Sequence, residues 1–357
     1  MTRGLAGGGL SRRAVLAGTG IAAGGTLFGA AGSDRAPASY FYGARQPGIA
    51  TPALPFVSIA GFDVVARHRA GLVDLLRTWT RVAAEMTAES THAVTFTFGF
   101  GRPLFAEGRF GLTDRRPGPL ADLPSFPGDS IDPAVSNGDL CVQACATHPS
   151  AAHQAVRTLV NTGRTHAALR WRQTGFRDAG NASDPPGMFG FRDGTANLDV
   201  DDARATADHL WVSDGPAWLH GGTYLVVRRI RLLLDTWDRT AVAAQEAMIG
   251  RHRDSNRRIE GVPTAHMRLA SPEANGGVRL LRRSYSYDAG VDPNGLLDSG
   301  LIFLCFQRDP QRQFVPSQRR LAEHDPLNGF SQHLASGVFA CPPGVERGSW
   351  IGANLLS

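Results

Sequence analysis

Three short stretches carry the residue types that cleavage of a peroxide at an iron centre requires. Gly190-Phe191-Arg192-Asp193-Gly194-Thr195 supplies an acid, Ala265-His266-Met267-Arg268 a ring nitrogen, and Leu280-Leu281-Arg282-Arg283 a fixed cation. Splitting an O–O bond needs a base to move a proton between the two oxygens, a positive group beside the departing oxygen, and an axial ligand that tunes the iron. Asp193, Arg282 and His266 fit these roles in turn. An aspartate base has an ordinary pKa near ~4, so such chemistry is expected to run in acid, where a histidine base would already be protonated.

Taken singly, each stretch is ordinary. Asp-Gly is above all a turn signal. His266 is one of 11 histidines, and Arg282 one of many arginines that solvent or a carboxylate would satisfy. Their order and surroundings give them weight, so the elements that must position them come next.

A faint internal repeat organises the chain. Residues 138–145 read as a strand that leads through a polar turn into a helical pattern over 153–160, and residues 300–307 lead likewise into 314–321. Upstream, 54–60 reads as a strand before a helical stretch at 71–86, and 223–229 as a strand before 234–249. Each half thus offers strand, helix, strands, helix, strand in an α+β arrangement. Residues 174–187 form the largest polar stretch and read as a loop leading into the Asp193 motif. Gly190 and Gly194 permit a tight path there, and Phe189 and Phe191 add apolar surface.

These motifs resemble those of dye-decolourising (DyP-type) haem peroxidases, in particular a secreted, twin-arginine-exported branch that includes deferrochelatases. Phe41-Tyr42-Gly43-Ala44-Arg45-Gln46-Pro47-Gly48-Ile49 is near the family's Gly-x-His-Gln-x-Gly-Ile, with Arg45 standing where the pattern has His. The Gly-x-x-Asp-Gly signature at 190–194 follows. So do Trp218-Leu219-His220-Gly221-Gly222-Thr223-Tyr224, the run 300–307 and Gly337-Val338-Phe339-Ala340-Cys341-Pro342-Pro343-Gly344. The resemblance implies two tandem ferredoxin-like domains forming a dimeric α+β barrel, each an antiparallel sheet with helices on one face, with haem held between sheets and helices. The expected organisation is 1–38 signal and linker, 39–205 first domain with the distal loop, and 206–357 second domain with the proximal histidine.

The resemblance also implies a site. Asp193 and Arg282 would be catalytic, and His266 would be the axial ligand of one haem b per chain. Phe191, Gly194, Thr195, Leu301, Phe303 and Asp325 would line or support the cofactor. Leu301 and Phe303, two apart on a strand, share a face. Asp325, in His324-Asp325-Pro326-Leu327, would accept from the second ring nitrogen of His266, or simply cap the turn before Pro326. No Cys-x-x-Cys-His attachment motif occurs, which implies type b. Bulky donors would be oxidised by electron transfer to surface aromatic residues, with Tyr285 and Tyr287 as relays.

Ser11-Arg12-Arg13-Ala14-Val15-Leu16, followed by the apolar small-residue run 17–31, reads as a twin-arginine export signal. That run is too weakly hydrophobic for a stable membrane span. The expectation is a periplasmic or extracellular protein that meets the twin-arginine translocase, hydrogen peroxide and one-electron donors. Arg3, Arg12 and Arg13 supply three of the five net positive charges, and all 37 basic residues are arginine. No basic recognition motif for nucleic acid is visible. Cys141, Cys145, Cys305 and Cys341 read as buried free thiols. Two other functions share the same residues: deferrochelatase-like release of iron from haem alongside iron-uptake partners, and a non-catalytic exported haem-binding protein. The sequence allows a homo-oligomer.

Overall fold

A computed structural model describes residues 41–177, 187–192 and 197–357. The first half runs β1 (Phe56–Val64), α1 (Arg69–Glu89), β2 (Val94–Gly101), β3 (Leu140–Ala146), α2 (Pro149–Gly163) and β4 (Ala167–Phe176). After α3 (Ala203–His209), the second half repeats the plan with an insertion. It runs β5 (Thr223–Leu232), α4 (Leu234–Asp238), α5 (Val242–Ile249), α6 (His266–Leu269), β6 (Leu281–Arg282), β7 (Tyr285–Val291), β8 (Leu297–Gln307), α7 (Phe314–His324), β9 (Ser331–Cys341) and α8 (Ala353–Leu356). Residues 205 and 206, where the sequence reading divides the halves, lie within α3.

Both halves place their strands in the same antiparallel order, fourth, first, third, second: β4-β1-β3-β2 and β9-β5-β8-β7, as expected of ferredoxin-like units. The halves join at two short seams. β2 meets β9 through Phe100↔Ala340 and Gly101↔Phe339, and β4 meets β7 through Phe176↔Ser286. Because β5 also pairs with β8, the sheet closes on itself as a barrel. Closure leaves two apolar faces for each strand, which is why β1, β2 and β3 are buried along nearly their whole length rather than at alternate positions.

The outer face of the first half is covered by α1 and α2. Leu72, Leu75, Leu76, Trp79 and Ala83 recur at helical spacing and form the buried stripe of α1, while Arg81 and Glu85 pair on the exposed side. Trp79 bridges the two helices by donating its indole N–H to Leu159 O at 2.9 Å. Trp79→Ala would cost about 3–5 kcal/mol from the cavity left behind. Inside the barrel, Gly61 makes room for Trp171, whose indole lies 2.3 Å from where a Cβ at Gly61 would stand.

The stretch that departs from the family pattern at Arg45 helps to hold a seam. Gln46 Nε2 donates to Phe98 O (3.0 Å) and Pro342 O (2.8 Å), and its Oε1 accepts from Phe98 N (2.8 Å), so one buried amide ties β2 to the chain just beyond β9. Arg45 donates to Gly221 O at 2.6 Å and stacks on Trp211.

Candidate active site in the second half

Strand register decides which side chains meet. Arg282 pairs with Cys305 and Ser286 with Leu301, so Arg282, Ser284, Leu301 and Phe303 all face outward, away from the barrel interior. Leu281, Tyr285 and Tyr287 face inward, with Ile302. Tyr285 and Tyr287 are 1% and 2% exposed, and their hydroxyls bond Leu54 O and Asp298. The expectation that they act as surface relays is therefore corrected: they are barrel core, on the opposite side of the sheet from Arg282.

The strand carrying Arg282 is only two residues long, and an amide that the sequence reading did not single out holds it. Asn197 Oδ1 accepts from Arg282 N–H at 2.7 Å, and Asn197 Nδ2 donates to Arg282 O at 2.9 Å. Arg282 Nε is buried and has no hydrogen-bond partner among the described residues.

His266 is the first residue of α6 and lines the same cleft as Arg282, Leu301 and Phe303. Its Nδ1 lies 2.5 Å from Oδ2 of Asp325. Asp325 is 7% exposed and ends α7. Its other oxygen, Oδ1, accepts from Leu327 N at 2.9 Å and caps the 3-10 turn Pro326–Phe330. The carboxylate thus performs both roles read from sequence, acceptor for the imidazole and turn cap. With the carboxylate accepting at Nδ1, the ring proton sits there and the lone pair resides on Nε2.

A third wall comes from residues 187–192. Phe189 stacks on Trp237 at 4.3 Å and Phe191 meets the same ring edge-on at 6.2 Å, while Trp237 Nε1 donates to Phe189 O. Gly190 is left-handed (φ 77°), a backbone that favours glycine, and the end of the Arg253 side chain packs against it. Asp193, Gly194 and Thr195, and the export signal, lie outside the described residues. Of the expected loop at 174–187, residues 174–176 belong to β4.

Together these elements enclose a cleft of about 1770 Å³, counted to its open mouth, between the outer face of β5, β8 and β9 and the helices of the second half. Ile230, Leu232, Leu301, Phe303, Phe314 and Leu327 make it mostly apolar, and Arg282, Ser284, His266 and His333 are among its polar groups. His333 Nδ1 is buried with no partner among the described residues. Burial, and then the charge of Arg228, push its pKa down to about 3. Arg228 is itself fully buried against Asp129.

The donor set suits a porphyrin. Among the described residues no three His, Cys, Asp or Glu side chains gather to hold a bare metal ion. A single oriented imidazole is what remains to be supplied when a macrocycle brings four nitrogens of its own. The broad apolar cleft and the buried, unpartnered Arg282 Nε fit that group.

All four cysteines are free and buried, as expected. Desolvation raises each thiol, Cys305 to about 12.

Comparison with known proteins agrees with this geometry. Residues 46–177 match the family model "Dyp-type peroxidase, N-terminal" and residues 184–346 match "Dyp-type peroxidase, C-terminal". The chain is 38% identical to a dye-decolorizing peroxidase of Thermobifida fusca, covering 88% of this chain and 84% of that protein. It is 31% identical to a deferrochelatase of Escherichia coli, covering 93% and 90%. Among solved structures, ferric DtpA from Streptomyces lividans superposes with a TM-score of 0.84 at 36% identity, covering 89% of this chain and 96% of that one.

Proposed function

The chain belongs to the DyP-type peroxidase family and is a haem peroxidase, and from that premise we propose that Asp193, Arg282 and His266 carry its chemistry. The observation that supports this most is the cleft itself, which is lined both by Arg282 from β6 and by His266 from α6. Haem, when bound, supplies the iron that takes up hydrogen peroxide and stores its oxidising equivalents for one-electron donors.

The protein's own groups do the rest. Asp325 draws the His266 imidazole into one orientation and makes it more electron-rich, so that it would be a stronger donor to the iron of a bound haem. Asp193 takes the proton from one peroxide oxygen and passes it to the other, which departs as water. Arg282, half-buried and with its Nε unpartnered among the described residues, would offer a positive charge to that departing oxygen. Leu301 and Phe303 line the same cleft as Arg282 and would limit the access of bulky donors to it. The test is reconstitution with hemin: a Soret band and peroxide-dependent oxidation of a dye, both expected, against a protein that takes up no hemin.

A second reading rests on the likeness to deferrochelatase. In it the same cleft releases iron from haem and leaves the porphyrin whole. Incubation with hemin and a reductant would then yield porphyrin fluorescence and chelatable iron in equal amounts.

We also infer export through the twin-arginine translocase, from Ser11-Arg12-Arg13-Ala14-Val15-Leu16. Among the described residues no helix is long and apolar enough to cross a membrane.

A further inference from the structure

We propose that Asn197 is a positioning residue for Arg282: its side-chain amide takes the place of a missing neighbouring strand and fixes the backbone from which the guanidinium reaches the cleft. The proposal rests on the reading of Arg282 as the cation of the peroxide site.

β6 is two residues long and pairs with β8 along one edge. A strand so short is held by few ladder bonds, and its second edge would leave a buried N–H and C=O to be satisfied. Asn197 satisfies both, accepting from Arg282 N at 2.7 Å and donating to Arg282 O at 2.9 Å, in the reciprocal pattern that a backbone residue makes in an antiparallel hydrogen-bonded pair. Leu198 N donates to Leu280 O at 3.3 Å, and Gln313 Nε2 to Arg279 O at 2.9 Å, so the chain entering β6 is secured as well.

This matters for the aim of the Arg282 side chain. Its Nε is buried and has no hydrogen-bond partner among the described residues, so the direction of the guanidinium follows from where the backbone stands. An amide of this length offers its donor and its acceptor on separate atoms: Asp lacks the donor, Ser carries both on one oxygen, Ala has neither, and Gln is one methylene longer. Asn197 is also four positions from Asp193 in the chain, so the same residue fastens the end of the acid-bearing segment to the strand that bears the cation.

The experiment uses the full-length protein loaded with hemin, reduced under carbon monoxide, with the C–O stretch read by infrared spectroscopy. That stretch responds to positive charge beside the bound gas, and it is independent of turnover. Wild type, Arg282→Leu, Asn197→Ala and Asn197→Asp are compared, together with hemin affinity and the rate of reaction with peroxide. The expected result is that Asn197→Ala moves the band toward its position in Arg282→Leu, broadens it, and slows the peroxide reaction by about 10- to 100-fold with hemin affinity unchanged. Asn197→Asp, which keeps the acceptor, should fall between, and carries the test alone if the alanine variant does not fold. A wild-type band in both Asn197 variants, while Arg282→Leu shifts it, overturns the proposal. An unmoved band in Arg282→Leu overturns instead the reading of Arg282 on which it rests.

Discussion

The Nδ1 atom of His266 lies 2.5 Å from Oδ2 of Asp325, and the second oxygen of the same carboxylate caps the turn that begins at Pro326. One buried side chain therefore sets both the orientation of the imidazole and the path of the chain between α7 and β9. Asp325→Asn removes the charge behind the ring while keeping a group that can cap. It should raise the iron reduction potential and weaken cofactor retention or activity by about 10- to 100-fold. Spectroelectrochemical titration of the loaded protein checks this, and a potential unchanged from wild type would contradict it. Asp325→Ala should lose a further ~1 kcal/mol of stability with the cap.

His333 sets a pH limit on stability. Its pKa is pushed down to about 3 in the folded protein, first by burial and then by Arg228, against an ordinary value near ~6.5 in the unfolded chain. Between those values the unfolded chain binds more protons, so the contribution is whole above about pH 6.5 and is lost as pH falls toward 3. Melting temperatures measured from pH 7 to pH 4 should fall more steeply for wild type than for His333→Phe. Equal slopes would mean that this imidazole does not titrate as its surroundings dictate.

Thiol chemistry offers a simple check on the packing of both faces of the sheet, since Cys305 shares the outward face of Arg282 while Cys141, Cys145 and Cys341 pack inside the barrel. Cys141, Cys145, Cys305 and Cys341 are buried, free and raised by desolvation. Native protein should take up no iodoacetamide at pH 8, and denatured protein should take up four equivalents. Rapid labelling of the folded protein at Cys141, Cys145 or Cys341 would show that the closed sheet opens readily, and at Cys305 that its outer packing does.

Tyr285 and Tyr287 donate hydrogen bonds inside the barrel, to Leu54 O and Asp298. Replacing both with Phe should cost about 1 kcal/mol for each hydrogen bond and leave dye turnover at the wild-type rate. A drop in dye turnover with an unaltered peroxide reaction would restore them as relays.

The parts of this molecule set by local pattern were legible in its sequence. β3 was readable because Leu140 to Ala146 is apolar at every position but Gln143, and α1 because its apolar residues recur at helical spacing. Residues 234–249 read as one helix but form α4 and α5, since Thr240 turns its N–H and hydroxyl back to Trp237 O and Thr236 O and breaks the run. The aromatic pair at 285 and 287 announces a shared face, but only cross-strand register says which face, and Ile302 opposite Tyr285 places it inside. Asn197 shows the same limit more sharply. In sequence it is one more polar residue after Asp-Gly-Thr-Ala, and its role depends on a backbone 85 positions away. Asp325 lay between two readings in sequence because a carboxylate has two oxygens, and each satisfies one of them.

The most direct measurement is stopped-flow absorption of the hemin-loaded protein mixed with hydrogen peroxide, comparing wild type with Asp193→Asn and Arg282→Leu at acid and neutral pH. A rapid Soret change in wild type, fastest in acid and slowed by about 100- to 1000-fold in either variant, is the predicted result. A variant that reacts as fast as wild type, or activity confined to pH above neutrality, would contradict the assignment of Asp193 and Arg282 as the pair that cleaves the peroxide bond.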